Sequence, residues 1–291
     1  MPEITKLERP PQRIVSICPS NTEMLYELGV WERVVGVDND SDFPESVKDL
    51  PRLGPDLDVD IDKIAALEPD LVVASLSVPG MEKNIARLEE RGLPFVALHS
   101  LSLQDIFDDT LRIGRLVHAE ARAQELVSEL RDRMNAIAER ARAAGPAQRL
   151  YWEWWPKPLI SPGGPSWITD LSRLAGGENL FADADKESLV IESQSVIDRD
   201  PDVLLICWCG ARRACGLDKI TSRPGWDQIK AVREGRVHVI WEGFFGRPGP
   251  RLLAGLELLA KAVHPEEFGQ PEAPMGFPLP PAGTRATPVT L

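Results

Sequence analysis

Hydrophobic positions in this chain form two patterns, short unbroken apolar runs and longer stretches with helical spacing, and the two alternate. One such unit occurs twice, because residues 61–75 read IDKIAALEPDLVVAS and residues 193–207 read SQSVIDRDPDVLLIC. Each copy begins as a helix, which we expect to stop before the Pro-Asp pair because the residue preceding proline disfavours helical backbone. Each then continues as an apolar run typical of a buried strand. The repeat predicts two similar lobes with a ligand-binding cleft between them.

The alternation of apolar runs and helical stretches predicts an α/β fold with two Rossmann-like lobes, each built on a parallel sheet. We predict strands at residues 13–18, 34–37, 71–74, 95–98, 149–153 and 237–241, and a helix with a strand within 194–207. We predict further helices at residues 23–28, 61–67, 81–91, 166–174, 226–233 and 252–263. Ser20 and Glu23 have the spacing of a capping box before the first helix, and Gly29 is suited to end it.

One long helix is predicted near the middle of the chain. Residues 103–144 contain no glycine or proline except Gly114, and apolar residues keep helical spacing from Ala119 onward. A helix of about 25 residues is roughly 37 Å long, which is enough to join two lobes. The predicted organisation is an N-terminal α/β lobe at 1–115, a linking long helix at 116–145, a C-terminal α/β lobe at 146–265 and a Pro-rich tail at 266–291.

Composition and charge argue against nucleic-acid binding and against a membrane-spanning segment. The 291 residues carry a net charge of −12 without a cluster of lysine and arginine, which argues against nucleic acid. No apolar run approaches the roughly 20 residues that span a bilayer. Residues 1–8 have neither a basic start nor an apolar core, so we expect no secretory signal peptide there. We expect a monomer that is either cytoplasmic or made with a leader outside this sequence.

Tryptophan is concentrated in the second half, where seven of the eight lie between residues 152 and 241. Several follow predicted strands, and open parallel sheets bind ligands beyond the carboxyl ends of their strands. Because indole rings offer large apolar surfaces, the group suits a large, flat, mostly apolar ligand, with polar groups of the first lobe at its edge. The candidate ligand-binding residues are Ser20, Asn21, Asp40, Trp154, Trp155, Trp208, Trp241, Phe244, Phe245 and Arg247.

A series of motifs resembles one protein family. The opening, Arg13-Ile14-Val15-Ser16 and then Pro19-Ser20-Asn21-Thr22-Glu23, is similar to that of class III substrate-binding proteins of metal-chelate ABC importers. Further matching pieces are Val34-Val35-Gly36-Val37, Asp42-Phe43-Pro44, Ile-x-x-Leu-x-Pro-Asp-Leu-Val at 64–72, Ala175-Gly176-Gly177-Glu178-Asn179 and Arg247-Pro248-Gly249-Pro250-Arg251. The resemblance covers roughly residues 12–265 and points to the cobalamin-binding branch.

The resemblance implies two lobes bridged by a long helical backbone, a bound cobalamin or other corrinoid rather than a catalytic cofactor, and delivery of that ligand to an ABC permease. In the family, aromatic residues of both lobes contact the corrin, and the matching positions here are Asp40, Asp56 and Leu189. One carboxylate per lobe docks on the permease. The matching positions are Asp62 and Gln194, and Glu192 is a nearby carboxylate.

A second interpretation within the binding class is a haem or an iron-siderophore ligand. Haem needs an axial side chain such as histidine, and His99 follows a predicted strand. A siderophore would use basic residues in the cleft, for which Arg212, Arg213 and Arg247 are candidates.

A third interpretation belongs to a different class, a cytosolic thiol or metal protein. Cys209 and Cys215 could hold zinc or form a disulfide reversibly, whereas Cys18 and Cys207 lie in apolar runs and are expected to be buried. The sequence shows no nucleophile elbow, no paired catalytic carboxylates and no metal-ligand histidine pair. We therefore expect no catalytic residues, no bound metal and no enzyme activity.

Overall fold

The structure, a computed structural model, describes residues 4–210, 215–272 and 275, and it divides the chain into two compact units. Unit 1 comprises Met1–Asp132 together with Arg247–Pro250, and unit 2 comprises Arg133–Gly246 together with Arg251–Leu291. The sequence-based division placed residues 247–250 in the second lobe, whereas the structure assigns them to unit 1. The predicted Pro-rich tail lies outside the described residues from 276 onward.

Unit 1 is an α/β unit with one parallel four-stranded sheet in the order β2-β1-β3-β4. Its strands are β1 (Ile14–Ser16), β2 (Val34–Val37), β3 (Leu71–Ser75) and β4 (Phe95–Leu98). Its helices are α1 (Pro19–Glu27), α2 (Ile61–Ala66), α3 (Glu82–Arg91) and α4 (Leu103–Leu116), with 3₁₀ turns at Trp31–Arg33 and Glu45–Asp49. All five residues of β3 are buried, as expected for a strand covered on both faces.

The start of α1 differs from the prediction. The helix begins at Pro19, and Cys18 is its N-cap residue. Ser20 and Glu23 therefore lie inside the helix, and the predicted capping box is wrong. Proline is favoured at the first helical position, because an N–H at that position would have no acceptor within the helix and proline loses nothing by lacking one. The predicted end is confirmed, since Gly29 follows the helix with a φ of +74°.

The stretch 103–144 forms α4 followed by the predicted long helix. After α4 the chain reaches His118, whose φ of +56° cannot continue a right-handed helix. Helix α5 (Glu120–Ala144) has 25 residues, as predicted from the spacing. Its apolar stripe is buried at Leu126, Val127, Leu130, Met134, Ile137 and Ala141. Within the described ranges, no helix has both the length and the hydropathy required to span a membrane.

Unit 2 is a second α/β unit with a parallel sheet in the order β11-β10-β5-β8 and a three-stranded antiparallel sheet in the order β6-β7-β9. Its strands are β5 (Gln148–Glu153), β6 (Trp155–Pro156), β7 (Leu159–Pro162), β8 (Gly177–Asn179), β9 (Ser188–Ile191), β10 (Val203–Ile206) and β11 (Val237–Val239). Its helices are α6 (Trp167–Leu174), α7 (Ser193–Arg199), α8 (Asp218–Thr221), α9 (Lys230–Arg233), α10 (Leu252–Val263) and α11 (Pro265–Phe268), with 3₁₀ turns at Trp226–Gln228 and Glu242–Phe244.

The two parallel sheets confirm the predicted α/β fold class, and the repeated sequence explains their likeness. The two copies form α2 with β3 in unit 1 and α7 with β10 in unit 2. Each of these strands pairs with the first strand of its own unit, β3 with β1 and β10 with β5. Sequence reasoning missed β8 and the antiparallel sheet, because their short strands lack an unbroken apolar run. It also merged the turn at 226–228 with α9.

Candidate functional site

The carboxyl ends of the central strands of unit 2 bring tryptophan residues together. Trp154 follows β5, and Trp208 follows β10 after Cys207. The backbone just after β10 is joined to the segment after β5, because the N–H of Cys209 donates a hydrogen bond of 3.1 Å to the carbonyl oxygen of Trp154. Trp154, Trp155 and Trp208 therefore belong to one edge of the sheet. This edge is where open parallel sheets bind ligands.

Exposure separates the tryptophans into two groups. Trp155 is 43% exposed, and Trp154 and Trp208 are half-buried. Trp241 is buried, and so are Trp152, Trp167 and Trp226, which belong to the core of unit 2. Of the predicted tryptophan cluster, three indole rings are thus accessible to a ligand.

A row of apolar side chains crosses the antiparallel sheet next to this edge. Trp155 pairs with Ile160, and Ile160 pairs with Val190, so the three side chains share one face. Val190 is 63% exposed and Ile160 is partly exposed. With strands about 4.8 Å apart, the row is roughly 10 Å wide. The indole N–H of Trp155 donates to the carbonyl oxygen of Lys157, which holds the ring in place.

Leu189 lies on the opposite face of this sheet, with Leu159 and Ile191, and packs on the core of unit 2. The resemblance placed Leu189 at a ligand-contacting position, but consecutive strand residues point to opposite faces. The structure gives the outward position to Val190, which sequence reasoning missed. The alternation along 188–191 could have identified it if β9 had been recognised.

Trp241 and Phe244 form an aromatic group after β11. Their rings meet edge-to-face with centroids 5.1 Å apart, and the guanidinium of Arg251 lies 4.8 Å from the Phe244 ring centre. Phe244 is half-buried. Phe245, also predicted to contact ligand, is fully buried against Trp152, with ring centroids 5.3 Å apart. Phe245 therefore belongs to the core, and its predicted ligand contact stays a prediction.

Arg247 is an ion-paired residue of unit 1. Its guanidinium donates two hydrogen bonds to the carboxylate of Asp42, at 2.6 and 3.1 Å, and one of 3.1 Å to Glu23 in α1. Its side chain is only 8% exposed. This pairing explains why residues 247–250 belong to unit 1, whereas the ligand contact of Arg247 stays a prediction.

Ser20 and Asn21 are also engaged inside unit 1. Both side chains are buried. The Ser20 hydroxyl lies 3.3 Å from Sγ of Cys18, and the amide of Asn21 donates to the carbonyl oxygen of Val73 at 3.2 Å. These groups therefore already hydrogen-bond within the unit, and the ligand contact of Ser20 and Asn21 stays a prediction.

Asp38 organises the loop after β2. Its buried carboxylate accepts hydrogen bonds from the N–H of Asp40 at 2.7 Å and from both the N–H and the hydroxyl of Ser41. Burial raises the pKa of Asp38, although these hydrogen bonds act in the opposite direction. Asp40 is half-buried, and its carboxylate faces the N–H of Asp56 at 3.5 Å. Among the polar candidates of unit 1, Asp40 keeps an accessible position beyond a strand end.

The glycine-rich segment 161–166 is held from several sides. Asn179 donates hydrogen bonds to the carbonyl oxygens of Pro162 and Gly163 and to the hydroxyl of Thr169. A Cβ atom at Gly163 would collide with the carbonyl oxygen of Lys186, so only glycine fits there. The segment is therefore a packed part of unit 2.

Comparison with known proteins decides the family. A family model described as periplasmic binding protein matches residues 14–242. The chain belongs to this periplasmic binding protein family. It is similar to an uncharacterized ABC transporter substrate-binding lipoprotein of Bacillus subtilis, with 28% identity over 90% of this chain and 83% of that protein.

Two further relatives carry names that state a ligand. A vitamin B12-binding protein of Vibrio parahaemolyticus is 25% identical over 86% of this chain and 88% of its own length. The solved structure of a periplasmic heme-binding protein of Roseiflexus sp. RS-1 superposes with a TM-score of 0.74 at 25% identity, covering 89% of this chain and 99% of that one. The predicted membership of the ABC substrate-binding family is thus confirmed, whereas its cobalamin branch stays a prediction.

In this periplasmic binding protein the predicted docking residues occupy equivalent helix starts. Asp62 lies in the first turn of α2, and its side chain is 87% exposed. Its Oδ1 atom forms an ion pair of 3.2 Å with the guanidinium of Arg91. Glu192 is the N-cap residue of α7, and Gln194 lies in its first turn. Both are exposed, and the amide of Gln194 donates to Asp198. A carboxylate and an amide thus take the same place in the two copies of the repeat.

The structure also shows where most of the residues proposed for haem, siderophore or thiol chemistry lie. His99 is exposed at the carboxyl end of β4, whereas Arg212 and Arg213 lie outside the described residues. Cys18 and Cys207 are buried as predicted, and all four cysteines are free thiols. Burial raises the pKa of the Cys215 thiol to about 11, which disfavours the reactive thiolate. Within residues 4–210 and 215–272, no three or more histidine, cysteine or acidic side chains form a group that could hold a metal ion.

Proposed function

We propose that this periplasmic binding protein binds cobalamin or a related corrinoid without catalysis and delivers it to an ABC permease for uptake or salvage. The observation that carries the proposal is the exposed apolar row of Trp155, Ile160 and Val190, next to the carboxyl ends of the parallel strands of unit 2. A flat macrocycle can cover such a row, and a rigid ligand loses little conformational entropy on binding. Similarity to vitamin B12-binding proteins supports this choice of ligand.

The proposed ligand-contacting residues of unit 2 are the apolar row, the half-buried indoles of Trp154 and Trp208, and Phe244. Trp241 stays in the proposal as the ring that supports Phe244. In unit 1, Asp40 stays a predicted hydrogen-bonding residue, because its half-buried carboxylate lies beyond a strand end.

Titration of the purified protein with cyanocobalamin tests the proposal. We expect saturable quenching of tryptophan fluorescence and a calorimetric heat, with a dissociation constant in the micromolar range or below. Absence of both signals at roughly 50 µM ligand, where a micromolar complex is saturated, would contradict corrinoid binding.

Haem is the second candidate ligand, because His99 is exposed at a strand end and a heme-binding protein is among the similar structures. Haemin titration should then give a shifted Soret band that His99→Ala abolishes. His118→Asn is the matched control, since His118 is also exposed and asparagine tolerates its positive φ. A Soret shift that survives in His99→Ala would exclude this axial ligand.

We propose that docking to the permease uses Asp62 on α2 and Glu192 with Gln194 on α7. Exposed acidic side chains at equivalent helix starts can pair with basic groups of a transporter. Asp62→Ala combined with Glu192→Ala should reduce ligand uptake in cells that hold the cognate permease, while ligand affinity in solution stays unchanged. Equal uptake by the double variant and the parent would refute this docking assignment.

A further inference from the structure

A buried carboxylate lies at the carboxyl end of β5, next to the proposed ligand contacts of unit 2. Glu153 is the last residue of β5, and its side chain is fully buried. A buried charge is tolerated when it is paired and hydrogen-bonded. Arg223 supplies the pairing with two hydrogen bonds, of 2.6 Å to Oε2 and 2.8 Å to Oε1.

Two further donors complete the set around Glu153. The indole N–H of Trp208 donates to Oε1 at 2.9 Å, and the hydroxyl of Tyr151 donates to Oε2 at 2.9 Å. Each carboxylate oxygen therefore accepts one bond from Arg223 and one from a neutral aromatic donor. Hydrogen bonds to a charged acceptor are stronger and more directional than neutral ones.

The bond to Trp208 has a consequence for the site. Trp208 lies on the loop after β10 and is half-buried, so it presents part of its ring to solvent. Its side chain has only two rotatable bonds, and anchoring the polar edge of the indole restricts both. The backbone beside Trp208 is fixed as well, through the hydrogen bond from the N–H of Cys209 to the carbonyl oxygen of Trp154. The ring plane of Trp208 is thus set by a residue 55 positions away in sequence.

We propose that Glu153 is a positioning residue, which fixes the indole of Trp208 in the ligand-free protein so that its exposed face is ready for ligand. This inference rests on the proposed function, in which Trp208 contacts the ligand. Holding the ring before binding lowers the entropy that is lost on binding. Arg223 in turn lies 4.4 Å over the Trp226 ring, which restricts the position of its guanidinium.

The first experiment needs no ligand. In protein labelled with 5-fluorotryptophan, the eight tryptophans give separate ¹⁹F resonances, and Trp208→Phe identifies that of Trp208. Glu153→Gln should shift and broaden this resonance. Tyr151→Phe removes a different hydrogen bond from the same carboxylate, so it should leave the Trp208 resonance in place. A Trp208 resonance unchanged in Glu153→Gln would overturn the proposal.

The second experiment measures affinity for cyanocobalamin. Glu153→Gln and Trp208→Phe should each weaken binding roughly tenfold, and the double variant should be no weaker than either single one. Tyr151→Phe should bind within about twofold of the parent. Two results would refute positioning through Trp208. One is a double variant in which the two losses of affinity add. The other is a Glu153→Gln variant with full affinity when Trp208→Phe binds more weakly.

Glu153→Asp covers the case in which Glu153→Gln does not fold. It keeps the charge for Arg223 but withdraws the acceptor from the indole, so it should reproduce both the resonance shift and the loss of affinity. If cyanocobalamin does not bind the parent protein, the proposed function fails alone, because the ¹⁹F experiment still decides whether Glu153 positions Trp208.

Discussion

The carboxylate of Asp70 accepts a hydrogen bond of 2.9 Å from the backbone N–H of Arg13, just before β1 begins. In return, the N–H of Asp70 donates to the carbonyl oxygen of Arg13. The second copy of the repeat builds the same contact, since Asp202 accepts from the N–H of Arg149 at 2.8 Å and donates back to its carbonyl oxygen. The repeated Pro-Asp pair therefore joins the two central strands of each unit.

Removing either aspartate should destabilise its own unit. Asp70→Ala and Asp202→Ala should each lower the free energy of unfolding by about 1–2 kcal/mol, because backbone donors lose a charged acceptor. Urea unfolding followed by circular dichroism measures this loss. Glu45→Ala is the control, since its ion pair with Lys48 is exposed and should contribute little to stability. Losses no larger than that of the control would show that the Pro-Asp contact is unimportant.

Asp202 should also make stability depend on pH. Burial raises its pKa, but hydrogen bonds from Arg149 and Lys230 outweigh this and leave the pKa below the usual value. The folded state therefore binds the proton less readily than the unfolded state does. The stabilisation is present above the ordinary aspartate pKa near 3.9 and is lost as the pH falls through the folded pKa.

The difference in the free energy of unfolding between the parent and Asp202→Asn should thus be positive at pH 7 and shrink below about pH 4. Asp198→Asn, an exposed carboxylate of α7, serves as the control. A difference that stays constant down to about pH 2.5 would contradict this origin of the pH dependence.

The ion pair of Arg247 should stabilise unit 1. Arg247→Met removes the hydrogen bonds to Asp42 and Glu23, and breaking a buried pair costs about 3 kcal/mol. Hydrogen exchange of the amides in α1, which contains Glu23, should report this loss. Arg87→Met is the matched control, because its partner Asp58 is largely exposed. Similar exchange rates in both variants would argue against a stabilising role for Arg247.

Two buried polar side chains near β7 should respond in opposite directions. Asn179→Ala removes three hydrogen bonds to the segment around Gly163 and should cost about 2–3 kcal/mol. The hydroxyl of Ser161 is buried with no hydrogen-bond partner among the described residues, so Ser161→Ala should be neutral or stabilise by about 1 kcal/mol. Thermal unfolding measures both changes. A destabilised Ser161→Ala would reveal a partner for that hydroxyl.

The apolar row should dominate affinity for the proposed ligand. Trp155→Ala should weaken cyanocobalamin binding roughly thirtyfold, as expected for a central aromatic contact. Val190→Asp should weaken it about tenfold, because a carboxylate would face the apolar ligand. Trp152→Phe, in the core, is the control and should keep full affinity. Calorimetry gives the three constants, and unchanged binding in Trp155→Ala would remove this row from the site.

The local pattern of the chain was sufficient to predict the α/β class, the two related units and the 25-residue length of α5. Each of these depends on hydrophobic periodicity or on proline and glycine, whose effects act over a few neighbouring residues. The same holds for the burial of Cys18 and Cys207. The predicted start of α1 was wrong because two residues with capping spacing were given more weight than the proline before them.

Tertiary structure decided which candidate side chains are accessible. Leu189 and Val190 are neighbours in sequence, yet only the pairing of β7 with β9 determines which of them faces outward. Arg247 lies far from Asp42 in sequence, and folding alone brings these charges together. Exposure and pairing depend on contacts between distant segments, so a sequence can propose these residues, and the fold assigns each to the core, to an ion pair or to the surface.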